Sequence, residues 1–439
     1  MRPSSSGPKN GRRRVQIGPK KKIAFVCSGG AAKAGAFHLG VALALREQGF
    51  NFLGGTAPLS GEIQAPGPMD ISTYVGSSAG SMIATFLAAG YSLENIFNSA
   101  FTLGKNKLDP ADAIPKLLPR LTYQKMFKLR PDLAKEQISQ LLFLKRLATN
   151  LFQGDWEALL QFKWLKMQGL FSTAGIEQYM REDVLMSNRF HDYVADLFIV
   201  ATQLNHSRKV VFGKYSYKPP PHDLNCQYNN DVSISEACAA STALPFIFAP
   251  FAIKNHNQQK IYYIDGEIRD TLSTHVAVDA GADLVIASHT HQPYHFRREV
   301  GSLTDFGLPA ILIQSIYLLI EQKINNHIHN KQIQRNAISE VAKYCKDNGV
   351  SATHRDKIVE ILERELYHKM NVDMIYIHPS PSDSKMFFGE HFSLSPKKLT
   401  EVVRSGFRAA IHALRRYDFA DRGTSRPATG TTSVGAQTG

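Results

Sequence analysis

The stretch TYVGSSAGSMIATFLAAG, residues 73–90, decides how the rest of the chain is read. Its Gly76-Ser77-Ser78-Ala79-Gly80 matches G-x-S-x-G. At ordinary Gly and Ser frequencies a chain of this length shows such a match by chance about once in seven. Context adds weight. Ile71–Val75 has the make-up of a short buried strand, and Ala79–Ala89 is an apolar, small-residue helix stopped by Gly90. Strand, sharp turn and helix together form the frame of a nucleophile elbow. Gly76 and Gly80 allow the tight turn. Ser78 then stands at a helix N-terminus, where free N–H groups favour developing negative charge. Ser77 holds the variable position, and Ser81, one turn into the helix, is expected to be structural.

The same alternation extends along the chain. Ile23–Ser28 is a strand candidate ending in glycines, followed by helical spacing over Gly35–Gln48 and a Gly/Pro-rich loop over Gly54–Pro68. Leu197–Thr202, Ile261–Ile264, Leu284–Ala287 and Met374–Ile377 are further strand candidates. The pattern predicts an α/β fold: a mostly parallel sheet, helices on both faces, in three layers. Residues 105–190 are helical in pattern and form an expected insertion. There Leu133, Ile138, Leu141, Leu142, Leu144, Ala148, Leu151 and Phe152 make an apolar stripe, either a face packed on the sheet or a cap over a lipid site. GLPAILIQSIYLLI, residues 307–320, is too short to span a bilayer comfortably and is expected to be a buried helix.

Charge is unevenly placed. The formal net charge is +13, and residues 1–22 carry eight Lys/Arg and no acid. Residues 1–22 are therefore expected to be a disordered basic arm, 23–418 a single domain with a C-terminal extension from about 290, and 419–439 a disordered tail. Attraction of the arm to an anionic membrane is the sharper alternative to a solvated arm; nucleic acid is an unlikely partner. No apolar h-region begins the chain. The scattered Cys27, Cys226, Cys238 and Cys345 suggest reduced thiols, neither a disulfide framework nor a zinc site. A cytoplasmic or peripheral-membrane protein is expected, with export lacking a cleavable signal left open.

An acyl transfer at Ser78 needs an oxyanion site and a base. The turn Cys27-Ser28-Gly29-Gly30-Ala31-Ala32-Lys33 offers backbone N–H groups with little side-chain obstruction. A nucleotide-binding turn looks similar, but G-x-G-x-x-G is absent here and no GK[ST] occurs in the chain. For the base, none of the 16 histidines has a setting as pointed as Asp265, which with Gly266 ends a strand in KIYYIDGEIRDTLSTHVAVDAGADLVIASH. His275 is the candidate for a conventional triad.

Four segments in order resemble the patatin-like phospholipases: SGGAAKAGAFHLGVALALREQGF (28–50), VGSSAGSMIATFLAAGYS (75–92), SISEACAASTALPFIFAPF (233–251) and IDGEIRDTLSTHVAVDAGADLVIA (264–287). The resemblance covers most of residues 22–416. It implies a three-layer patatin-like fold and a lipid acyl hydrolase cleaving fatty-acyl esters of phospholipids or related lipids. It implies a Ser78–Asp265 dyad without a catalytic histidine, with an oxyanion hole of Gly29, Gly30 and Ala31 N–H groups and no cofactor. Acyl-lipid substrate and peripheral membrane contact are the implied partners; a non-catalytic lipid- or partner-binding protein on the same scaffold is the alternative.

Two departures stand out. Ala31 replaces a third glycine, and Lys33 is followed by Ala34 before Gly35, so the turn is expected to be one residue longer. Glu267 stands where the family more often has Gly or Ala; it is expected to face solvent, the alternative being a second carboxylate that raises the Asp265 pKa. Lys33 is read as either a headgroup-phosphate contact or a solvated turn lysine. His289, His291 and His295 are read as polar loop residues in preference to metal ligands, and His327 and His329 as surface residues.

Overall fold

The computed structural model describes residues 14–58, 65–101, 114–115, 117–130, 169–219, 223–245, 247–380, 383, 386–387 and 392–419. Ten strands form one sheet: β1 (Ile23–Cys27), β2 (Asn51–Phe52), β3 (Asp70–Ser77), β4 (Asp196–Gln203), β5 (Arg208–Gly213), β6 (Cys226–Asn229), β7 (Phe251–Lys254), β8 (Lys260–Asp265), β9 (Leu284–Ser288) and β10 (Asp373–Ile377). Their main order is β7-β8-β4-β3-β1-β9-β10, with β2 beside β3, β5 beside β4 and β6 beside β5. The block β4-β3-β1-β9-β10 is parallel throughout, as the strand–helix alternation predicts.

Its strands read as unbroken apolar runs because both faces are covered. In β1, Ile23, Phe25 and Cys27 enter one core, while Ala24 and Val26 enter the other. In β9, Leu284 and Ile286 point one way, Val285 and Ala287 the other. On the first face lie α1 (Ala31–Glu47), α2 (Ala79–Ala88), α3 (Ile234–Ser241) and α7 (Pro396–Leu414); α4 (Thr274–Asp279) is on the second. This is the three-layer α/β arrangement.

The site depends on one local feature of topology. β3 pairs with Asp196–Val200 of β4 in parallel, ending in the pair Ser77–Val200. β8 pairs antiparallel with the continuation of β4, beginning with the pair Asp265–Ala201. β5 pairs with residues 198–203 of β4 along the other edge. The C-terminal ends of β3 and β8 therefore meet head-on along one edge, which delivers Ser77-Ser78 and Asp265 to one point.

Three expectations need correction, and a fourth falls largely outside the described residues. Residues 14–22 belong to the domain: Val15–Ile17 pairs in parallel with Tyr417–Phe419, and Ile17 is buried. Lys20 and Lys22 bind Asp373 at 2.7 Å and Asp196 at 2.6 Å. A three-residue strand among basic residues leaves almost no periodic signal. Second, the Gly-rich turn is not lengthened, because α1 begins at Ala31, directly after Gly30. Third, residues 307–320 open a 41-residue helix, α5 (Gly307–Asp347), which packs on α6 (Ala352–Glu365). Tyr317 and Ile320 are buried, but Ile311, Leu312, Ile316, Leu318 and Leu319 are exposed, Leu319 by 62%. Last, the insertion at 105–190 is only partly described; its apolar stripe from Leu133 to Phe152, residues 1–13 and the tail beyond 419 lie outside the described residues.

Candidate active site

Ser78 caps α2 with φ 51° and ψ −129°. A left-handed non-glycine residue is strained, and the surroundings hold it there. A Cβ at Gly76 would stand 2.5 Å from the Gly80 carbonyl oxygen, and one at Gly80 would stand 2.3 Å from that of Cys27. Both elbow glycines are thus required by close backbone contact. The Ser78 N–H donates to Ser241 Oγ at 2.8 Å, and the Ser241 hydroxyl donates to the Val200 carbonyl at 2.6 Å. Ser241 thereby ties the elbow to β4 through α3. It lies in the segment 233–251 used for the resemblance, but nothing in its local pattern marks that role. Ser81 donates to the Ser78 carbonyl at 2.6 Å, the structural part expected of it.

Asp265 closes β8 and is buried. Its N–H donates to the Ala243 carbonyl at 3.0 Å, which fixes its backbone. The carboxylate feels the Ser78 hydroxyl, and its Oδ1 accepts the Glu267 N–H at 2.9 Å. Burial raises its pKa to about 6, against the lowering effect of the Ser78 hydroxyl and the Glu267 N–H. A carboxylate titrating near neutrality is a far better proton acceptor than an ordinary aspartate.

The Gly-rich turn stands against the same point. Gly30 has φ 127° and Ala31 φ 59°, and both head α1, where first-turn N–H groups have no intrahelical acceptor. The Thr290 hydroxyl donates to the Gly29 carbonyl at 2.9 Å and steadies the turn from behind. The Gly29 N–H donates to Glu267 Oε1 at 2.7 Å, and the Ser77 hydroxyl donates to the same oxygen. Glu267 is therefore not turned to solvent as its sequence position suggested; it is 7% exposed and packed into the site. Burial, followed by the charge of Asp265, pushes its carboxyl well above the ordinary glutamate range.

The other candidates fall elsewhere. Lys33 is neither headgroup-facing nor solvated: it is 2% exposed, donates to the Met386 carbonyl, and burial lowers its pKa to about 7. His275 faces Asp270 at 3.8 Å in α4. His289 and His291 are buried, not loop-surface residues; His289 stacks on His378 and His291 lies edge-on to Tyr317. His295 is exposed, and His327 bonds Thr274 Oγ1 at 3.1 Å. His38, which the sequence did not single out, joins Ser288 Oγ at 2.7 Å to the Ser28 carbonyl at 2.8 Å. Burial lowers its pKa to about 4, so it stays neutral and braces the Gly-rich turn. Among the described residues no cluster of His, Cys, Asp and Glu is placed to hold a metal. All four cysteines are buried free thiols.

Beside the elbow is a cavity of about 140 Å³ between α1, α2 and α7, with Ala32, Leu39, Ala79, Ile83, Phe86 and Leu399 among its lining. Ala79, the residue directly after Ser78, is part of that lining.

The sequence profile of the family described as patatin-like phospholipase matches residues 25–278, more than half of the chain. The chain belongs to that family, whose members are in general lipid acyl hydrolases, and its sheet-and-helix architecture is the α/β fold of that domain. No curated protein matches it.

Proposed function

We propose that the protein is a phospholipase A-type lipid acyl hydrolase working through a Ser78–Asp265 dyad. The observation that carries this is the meeting of two strand ends, which brings Ser78, strained at the tip of an elbow, to the buried carboxylate of Asp265 beside an apolar cavity. Ser78 Oγ attacks the ester carbonyl as its proton passes to Asp265. N–H groups of Gly29, Gly30 and Ala31 are the proposed oxyanion donors. Collapse of the tetrahedral intermediate expels the alcohol, which takes the proton from Asp265 and leaves an acyl-enzyme on Ser78. A water then attacks, giving its proton to Asp265, which passes it to Ser78 Oγ as the acyl–oxygen bond breaks and the fatty acid leaves. No histidine is needed for any of these steps.

The acyl chain is proposed to occupy the cavity at Ala79. Contact with a lipid surface is proposed at the apolar start of α5, where exposed Leu312, Ile316 and Leu319 lie close in sequence to Arg297 and Arg298. No helix among the described residues is long and apolar enough to cross a membrane.

One observation favours the alternative, a lipid-binding protein without turnover: Glu267 already holds the Gly29 N–H. A fluorophosphonate probe separates the two. We expect covalent labelling at Ser78, lost in Ser78→Ala and nearly lost in Asp265→Asn, with ester hydrolysis lost in parallel. Retained hydrolysis in Asp265→Asn with loss in His275→Ala would replace the dyad by a conventional triad. Absence of labelling with or without lipid vesicles favours the binding protein.

A further inference from the structure

Glu267 has no part in the chemistry above, yet it stands where an acyl oxygen would be held. Its Oε1 accepts the Gly29 N–H at 2.7 Å together with the Ser77 hydroxyl. A Cβ added at Gly29 would lie 2.4 Å from Glu267 Cγ and 2.7 Å from Ser78 Cβ. Carboxyl, turn and serine thus converge on one point. The other oxygen, Oε2, is buried with no hydrogen-bond partner among the described residues, and His291 Nδ1 is 3.8 Å away. A carboxyl group with one oxygen doubly bonded and the other unsatisfied, beside a second buried carboxylate, is only weakly retained.

The hold can be exchanged. The Gly29 N–H loses nothing if another oxygen replaces Oε1, and it gains if that oxygen becomes negative during the reaction. Displacing Glu267 still needs energy, and the apolar cavity beside Ala79 is where substrate binding supplies it. Binding energy from a remote, unreactive part of a substrate is the usual source for reorganising a reacting centre. A long acyl chain fills the cavity, whereas a short one does not.

We propose that Glu267 is a chain-length specificity determinant: it occupies the Gly29 N–H in the resting protein, and only substrates whose acyl chain fills the neighbouring cavity displace it efficiently. This rests on the hydrolase function proposed above. No covalent step is added; one N–H···O hydrogen bond is traded for another.

The test compares kcat/KM for p-nitrophenyl butyrate and p-nitrophenyl decanoate in the full-length wild type, Glu267→Ala and Glu267→Gln, with Ser78→Ala as background. We expect Glu267→Ala to raise the butyrate value about tenfold, the scale of one hydrogen bond to an ionisable group, and the decanoate value less than about threefold. Glu267→Gln keeps an oxygen for the Gly29 N–H and should stay within about threefold of wild type on both esters. A loss on both esters, no change, or equal gains in Glu267→Ala would overturn the proposal. Thermal melting checks that Glu267→Ala is folded. Should it not be, Ser77→Ala, which removes one of the two donors to Oε1, is read by the same ratio of esters. Failure of the function itself gives a different result: neither wild type nor any variant is then labelled at Ser78 by a fluorophosphonate. Labelled wild type with an unmoved ester ratio overturns the specificity role alone.

Discussion

Asp265 and Glu267 are two buried carboxyl groups separated by one glycine, and the fold treats them in opposite ways. Asp265 is influenced by the hydroxyl of Ser78, which stands strained at the tip of the elbow. Glu267 accepts the hydroxyl of Ser77, which is still in the strand, together with the amide of the Gly-rich turn. Each serine thus faces its own carboxyl, and on the function proposed above only Ser78 attacks and only Asp265 is the base. On that reading burial beside a serine does not by itself make a carboxylate a base; the conformation of the serine decides.

The largest way to break that comparison is to neutralise each carboxyl in turn. Asp265→Asn should lower kcat/KM for a long-chain ester about a thousandfold, within the range for removing a general base. Glu267→Gln should leave it within a few-fold. In wild type, kcat/KM should rise with pH and reach half of its plateau near pH 6, because Asp265 must be ionised to take the proton and burial places its pKa at about 6. A rate profile flat from pH 5 to 8 would remove Asp265 from the role of base.

Part of this candidate site is legible in the sequence. G-x-S-x-G between a strand and a small-residue helix points to Ser78, and the strand end before Gly266 points to Asp265. Both signals are local, and the structure brings the two residues together. Glu267 was misplaced because its partners, Gly29 and Ser77, come from distant segments; no local pattern tells that an exposed-looking acid will be folded inward. The head-on meeting of β3 and β8 was equally hidden, since strand direction depends on pairing and leaves no trace in composition. The start of α5 failed for a third reason. A segment apolar on nearly every side normally marks a buried helix, yet here Tyr317 and Ile320 are covered while Ile311, Leu312, Ile316, Leu318 and Leu319 are exposed.

Ser241 allows a smaller test of how the attacking pair is held. Its hydroxyl links the Ser78 N–H to β4, so Ser241→Ala leaves that N–H without its partner and frees the elbow backbone. A displacement of the nucleophile by a fraction of an ångström is enough to slow attack. We expect kcat to fall about tenfold with KM little changed, because the cavity proposed to hold the acyl chain is untouched. The same substitution should not disturb Glu267, whose partners are Gly29 and Ser77. The ratio of short-chain to long-chain activity should therefore stay at its wild-type value, and a changed ratio would show that the two pairs are coupled through α3.

The smallest effect separates the carboxyls by what they do to stability. The pKa of Asp265 is about 6 in the folded protein against an ordinary 3.8, and that of Glu267 is also raised. A group with a raised folded pKa favours the folded state while protonated, and this contribution is lost as pH rises from the unfolded value through the folded one. Ionised Asp265 is thus a cost to the fold of about 3 kcal/mol above pH 6, a cost that the proposed role as base requires. Asp265→Asn removes that cost while keeping an oxygen for the Ser78 hydroxyl and the Glu267 N–H. The variant should melt a few degrees above wild type at pH 7.5, with the gap closing towards pH 4. Melting curves of the two proteins across that range give the sign directly. A gap that widens towards acid pH would mean that Asp265 is stabilised as the anion in the fold, and that its basicity has another origin than burial.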